Sequence, residues 1–166
     1  MNAYKFLADG AVSPFAGFHW PVGEWVDAAS ADVCRAGIHA CRVGDLPFWL
    51  GPELWEIELD GEVVAHPRKI AAPRGRLLHR IEEWDATARR DFGASVLKRT
   101  RTRFGAVAVV GGYVGDMERQ LATGRMALAA FAAARAAEVA GGPLEYERER
   151  ARQAAWLVER LALRAD

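Results

Sequence analysis

The stretch CRAGIHACR, residues 34–42, holds both cysteines of the chain and one of its four histidines. Two thiols and an imidazole within eight residues allow three readings. Cys34, His39 and Cys41 are ligand types that zinc takes, but structural zinc needs a fourth ligand. The six residues between the cysteines are not a finger or ribbon spacing, so no metal is expected. Cys41 with His39 as base would make a thiol nucleophile. The third reading takes 37–42 as a core strand, with Cys41 a small buried residue. His39 is then hydrogen-bonded beside a cleft, and is the residue of the stretch that faces a ligand. That third reading is the expectation, together with no Cys34–Cys41 disulfide.

Other residues could join such a cleft. Glu56 and Glu58 point the same way if LWEIEL is a strand. Paired carboxylates do acid–base work when one sits in an apolar setting, whereas polar alternation is ordinarily the solvated face of a strand. With Lys5 on the first strand, the catalytic candidates are Lys5, His39, Glu56 and Glu58. The loop SPFAGFHWP, followed by Trp25, places aromatics around a histidine. Phe18, His19, Trp20 and Trp25 are the ligand-binding candidates, because such loops line pockets. The alternative is a loop folded over the sheet and anchored by its rings. Lys98, Arg99, Arg101 and Arg103 form a basic run that could contact phosphates. Without interleaved aromatics it reads better as a solvated helix end, where cations suit the dipole. VVGGYVGD matches neither the P-loop nor the dinucleotide fingerprint, and reads as packing. There is no Gly-x-Ser-x-Gly elbow and no His-Glu-x-x-His.

The elements that must position these residues fall into two halves. Residues 1–84 carry five of six Trp, six of seven Pro, and 8 Lys/Arg against 12 Asp/Glu. Residues 85–166 carry 14 against 10 and are rich in alanine. The expected fold is α+β: a small, mostly antiparallel sheet in 1–84, then about four helices in 85–166, forming one compact unit. AYKFL, GEWVDA and GIHACR read as strands. DLPFWL reads as a helical turn capped by Asp45. LWEIELDGEVVAH reads as a hairpin turning at Asp60–Gly61. RKIAAPRGRLLHRIEEW holds further strands, broken at Pro73 and Gly75. Asp85 is a good N-cap for a helix to about residue 102, with Ala88, Phe92 and Val96 on its buried face. Val107, Val110, Val114, Met117 and Leu121 make a second stripe. Gly111, Gly112 and Gly115 would there admit a close neighbour or mark a strand and turn. Residues 125–140 form a third helix. Gly141–Gly142–Pro143 is a stop and a start, and Ala151, Ala154, Val158 and Leu161 line a last helix.

The charges cancel at 22 against 22, so no global field draws the chain to nucleic acid or membrane. No apolar run reaches about 18 residues. MNAYKFLADG lacks the basic and apolar regions of a secretory leader, and two cysteines are no disulfide framework. A bacterial-type cytoplasmic setting is expected.

The order YKFL, PFAGFHWPVGEWVDA, CRAGIHACR, DLPFWL, LWEIELDGEVV, KIAAPRGRLLHRIEEW resembles a group of uncharacterised bacterial and phage domains. Their core is a Lys-containing first strand, a Cys-x-x-Gly-x-His-Ala-Cys stretch and a Glu-rich strand. The resemblance covers residues 4–84 and implies no activity. In element order the same half is similar to the small ADP-ribosyltransferase-like fold of rifamycin-modifying enzymes. That resemblance implies a polar catalytic residue on the first strand, at Lys5, and NAD as cofactor; the residues themselves call for none. Two functions are expected. One is a cleft beside the N-terminal sheet that binds a small ligand, nucleotide-related and with transferase chemistry if the second resemblance holds. The other is a non-catalytic module whose C-terminal helices bind a protein partner or a second copy of the chain.

Overall fold

The computed structural model describes residues 1–32 and 36–164. Strands come first and helices follow, an α+β arrangement. The contacts divide into two compact units, Met1–Glu82 with Arg164, and Glu83–Leu163.

The first unit builds two antiparallel sheets. Strands β1 (Asn2–Leu7), β2 (Val26–Asp27), β4 (Glu53–Asp60) and β7 (Arg74–Arg80) stand in the order β1-β4-β7-β2. Strands β3 (Ile38–Ala40), β5 (Val64–His66) and β6 (Lys69–Ala72) stand in the order β3-β6-β5. One bridge links the sheets. Tyr4 and Cys41 exchange both backbone hydrogen bonds, at 3.0 and 2.7 Å. The inner faces of both sheets enclose one core, to which β1 gives Ala3 and Leu7, β3 Ile38 and Ala40, β4 Trp55, Ile57 and Leu59, and β6 Ile70 and Ala72. The approach is close: a Cβ on Gly75 of β7 would lie 2.6 Å from Cγ2 of Ile38.

The expected hairpin at Asp60–Gly61 does not form. Both edges of β4 are occupied, by β1 and β7, so the chain leaves the first sheet after Asp60 and β5 joins the second. Gly61 still needs glycine, since its φ is +83°. The two-residue hairpin lies instead between β5 and β6, where His66 pairs with Lys69 across Pro67–Arg68. Neither of those residues has positive φ, so the turn is the type I that proline at its first central position favours.

Three further local expectations change. Only Val26 and Asp27 of GEWVDA are strand. Residues Val43–Phe48 form a 3-10 helix whose N-cap is Arg42, and Asp45 instead bonds the Arg42 guanidinium at 2.7 Å. β7 carries a bulge: Ile57 faces Leu77 but Glu56 faces His79, so Leu78 is an extra residue. Everything after Leu78 is turned to the opposite face.

In the second unit Asp85 caps α1 (Ala86–Phe104), accepting from the Ala88 amide at 2.7 Å. Ala88, Phe92 and Val96 are buried as the periodicity requires. Helices α2 (Val110–Ala122), α3 (Met126–Gly141) and α4 (Pro143–Leu161) follow. Pro143 starts α4 directly after Gly142, whose φ is +88°. Gly111, Gly112 and Gly115 lie in a helix and admit no close neighbour; the tight approach is at Gly93, where a Cβ would meet Leu121 at 2.6 Å. Val107 precedes α2 and is exposed. On α4 the buried row is Arg150, Ala154, Leu157 and Leu161 rather than the row from Ala151, which is exposed. Polar side chains enter this interior as a set. Gln153 donates to the Ala130 carbonyl at 3.0 Å and accepts from Arg150 at 3.1 Å, and Glu149 holds Arg99 in a two-pronged pair. Among the described residues no helix is long and apolar enough to cross a membrane.

Candidate functional site

Alternation along β1 puts Ala3, Lys5 and Leu7 on the inner face. Two of the three are buried core, so Lys5 carries an amine into an apolar interior. Its ammonium donates to the His39 carbonyl at 2.5 Å and lies 5.2 Å from the centre of the Trp20 ring. Burial is the larger influence, and the nearby Cys41 opposes it only in part; the amine is lowered from 10.5 to about 8. Trp20 is fixed from behind, its indole donating to the Ser13 hydroxyl at 2.9 Å. Phe18 stands edge-on to Trp20 at 5.6 Å and is exposed. His19 is also exposed, on an isolated bridge to Val12.

His39 shares the opposite face of its sheet with Lys69, which sits over the Trp49 ring at 5.5 Å. Burial, then Lys69, then Lys5 lower the His39 imidazole from its ordinary value. Cys41 is buried, and burial pushes its thiol up to about 12 against the opposing pull of Lys5. A thiol held protonated is a poor nucleophile at neutral pH, and Cys41 pairs through its backbone with Tyr4. Cys34 lies outside the described residues, and with it the question of a Cys34–Cys41 disulfide. Among the described residues no three of His, Cys, Asp and Glu are grouped to hold a metal ion.

The structure therefore brings together Lys5, Trp20, Phe18 and the His39 backbone. It does not bring the glutamates to them. Glu56 and Glu58 project from the outer face of the first sheet. There Glu56 accepts from Asn2 at 2.9 Å and lies 3.5 Å from His79, and Glu58 pairs with Arg76 at 2.6 Å. Trp25 belongs to this outer face too, covered by Arg74 and Arg76 at 4.7 and 4.8 Å.

The carboxylate on the inner side is Glu53, which sequence reasoning missed. It accepts from the Gly10 and Ala11 amides, each at 3.0 Å, from the Trp55 indole at 2.9 Å and from Arg80 at 3.1 Å. Burial alone would raise its carboxyl; the bonds from Trp55, Gly10 and Ala11, with Arg80, outweigh it and hold the group below the ordinary value. Arg80 reaches it because the Leu78 bulge turns Arg80 to the inner side. The available signal was parity. Glu53 shares the odd-numbered set of Trp55, Ile57 and Leu59, the apolar side of the strand.

The Lys5 amine does not fit the pyrophosphate of NAD. That group would need solvated cations. The cation on the first strand instead faces an apolar core, already bonded to a carbonyl. Tyr4, the sole tyrosine of the first unit, is buried, its hydroxyl bonded to Arg164. No family model, no curated protein and no solved structure matches the chain.

Proposed function

We propose that the first unit binds a small ligand beside its first sheet, with the Lys5 amine as the group that meets it. The observation that carries this reading is the placement of Lys5: an amine turned into an apolar interior, between the Trp20 ring and the His39 carbonyl, on a residue that as a whole is half-buried. An amine lowered to about 8 stays mostly protonated at physiological pH but has a far larger neutral fraction than an ordinary lysine, and that fraction suits attack on a carbonyl carbon or acceptance of a proton. The ligand class is a small, weakly charged molecule with an electrophilic carbonyl. The amine nitrogen would add to that carbon, and water would leave as the imine forms. Neutral Trp20 and Phe18 supply an apolar wall. A nucleotide-related ligand and group transfer rest on the strand-order resemblance alone.

The test is a thermal-shift panel of nucleotides and small aldehydes and ketones, with borohydride trapping read by peptide mass. A ligand at 100 times its dissociation constant adds about 2.7 kcal/mol. A shift lost in Lys5→Met, with mass trapped on Lys5, supports the reading. A folded parent with neither shift nor trapped mass overturns it.

One observation favours a second reading, an interaction module. Leu128, Phe131 and Val139 of α3 lie along one exposed side of that helix, and Leu144 is exposed at the start of α4. Exposed apolar side chains gathered on one helix side, here with Arg135 between Phe131 and Val139, mark contact surfaces. Sedimentation over a concentration series, with Phe131→Ser as the comparison, tests self-association; a partner captured by the parent and not by Phe131→Ser would show a heterologous contact.

A further inference from the structure

The basic run on α1 is the motif that the Lys5 site leaves unused. Ser95, Lys98, Arg99, Thr102 and Arg103 recur every three or four residues and line an open groove of about 290 Å³. Two carboxylates of α4 stand beside it. Glu149, almost wholly buried, takes the Nε and Nη2 of Arg99 at 3.0 and 2.7 Å. Glu145 takes Arg103 at 3.1 Å and Arg148 at 2.7 Å, with Arg152 at 3.6 Å. These pairs fix the guanidinium groups but do not neutralise the cluster. Lys98, Arg99, Arg103, Arg148 and Arg152 set five cations against two carboxylates.

The groove is also rich in donors and poor in acceptors. Among the described residues the side chains of Lys98, Ser95 and Thr102 make no hydrogen bond or ion pair. Arg99 keeps its Nη1 hydrogens and Arg103 its Nε and Nη1. Arginines held in place by carboxylates behind them are preorganised for an anion in front, because their rotamer entropy is already lost. The length decides which anion. Eight residues separate Ser95 from Arg103, about 12 Å along the helix, more than one phosphate occupies. The groove is nevertheless short, and no exposed ring lines it for stacking bases, which disfavours a nucleic-acid strand.

We infer that this groove is a binding site for a small oligophosphate, with Lys98, Arg99 and Arg103 as its cations and Ser95 and Thr102 as hydroxyl donors. The site does not depend on the Lys5 reading. Pyrophosphate, tripolyphosphate and inorganic phosphate are titrated calorimetrically into the whole chain at low and at raised salt. The expected result is saturable binding of pyrophosphate and tripolyphosphate, each at least about tenfold tighter than inorganic phosphate and weakened by salt. Lys98→Glu, an exposed change that leaves both carboxylate pairs intact, should weaken binding by about tenfold or more. Arg101→Ala, on the same helix outside the groove, should leave it unchanged. No binding at about 10 mM of either polyphosphate, or equal binding by Lys98→Glu and the parent, overturns the site. So does a single-stranded oligonucleotide that binds far more tightly than tripolyphosphate and is lost with Lys98→Glu, since the groove would then belong to a nucleic-acid surface.

Discussion

The Lys5 ammonium donates to the His39 carbonyl beside the single bridge that joins β1 to the second sheet. Tyr4 and Cys41 form a complete backbone pair. Two residues on, an antiparallel register brings Phe6 opposite His39, the residue whose carbonyl Lys5 reaches. The side chain of Lys5 thus ties β1 to β3 beside that pair. This gives the amine a structural role beside any chemical one, and the two roles separate by pH.

Lys5 titrates near 8 in the folded chain and at 10.5 unfolded. Between those values the unfolded chain binds more protons, so stability rises with pH across that window. Below pH 8 the full cost of burying the charge is present; above pH 10.5 it is gone. Its size is of the order of 3 kcal/mol. Lys5→Met should lose this rise and be at least as stable as the parent at pH 7. Paired urea melts at pH 7 and pH 10 test it, and an unchanged slope in the variant would refute the assignment.

Glu53 behaves with the opposite sign. Its folded carboxyl is held below the ordinary value, so its contribution is present above pH 4.5 and is lost as pH falls through the folded value. Glu53→Gln leaves the Arg80 guanidinium and two amides without their anion. The expected loss at pH 7 is about 1–3 kcal/mol, since Glu53 is buried but Arg80 is more than a third exposed. The variant should also show a shallower loss of stability in acid than the parent.

Gly61 sits at φ +83°, and a Cβ there would lie 2.7 Å from Cγ of Pro73. Gly61→Ala should cost about 2 kcal/mol from the left-handed conformation and the crowding together, and Gly61→Val more. Equal melting of Gly61→Ala and the parent would show that the Asp60–β5 connection relaxes freely.

Asp85 caps α1 through the Ala88 amide. Asp85→Ala should lower the melting temperature of the helical unit by a few degrees, and Asp85→Asn by less, because asparagine also caps. Far-ultraviolet circular dichroism reads this directly.

Local signals carried much of this architecture. Asp85 as a cap, Pro143 as a start and the 88–92–96 stripe depend on spacing along one helix, which neighbours in sequence determine. The hairpin at Asp60–Gly61 was misread because turn chemistry says where a chain bends, not which strand it next pairs with. The answer lay in β1 and β7, which compete for both edges of β4. The site was half legible for the same reason. Lys5 and Trp20 stand out by residue type, but the sheet face that separates Glu56 and Glu58 from them is set by register. Arg80 meets Glu53 only because of a single inserted residue, Leu78, which no composition reveals.

The pairing order also sets a timetable for synthesis. β1 is made first, yet its ladder partner ends at Glu58 and that strand's other neighbour runs to Arg80. Until β4 leaves the ribosome, the first strand is an unpaired edge exposing Tyr4, Phe6 and Leu7. Contacts of such sequence separation form slowly, whereas α1 to α4 close locally and fast. A nascent chain stopped near residue 50 should therefore engage chaperones through its first strand, and one released beyond residue 85 should not.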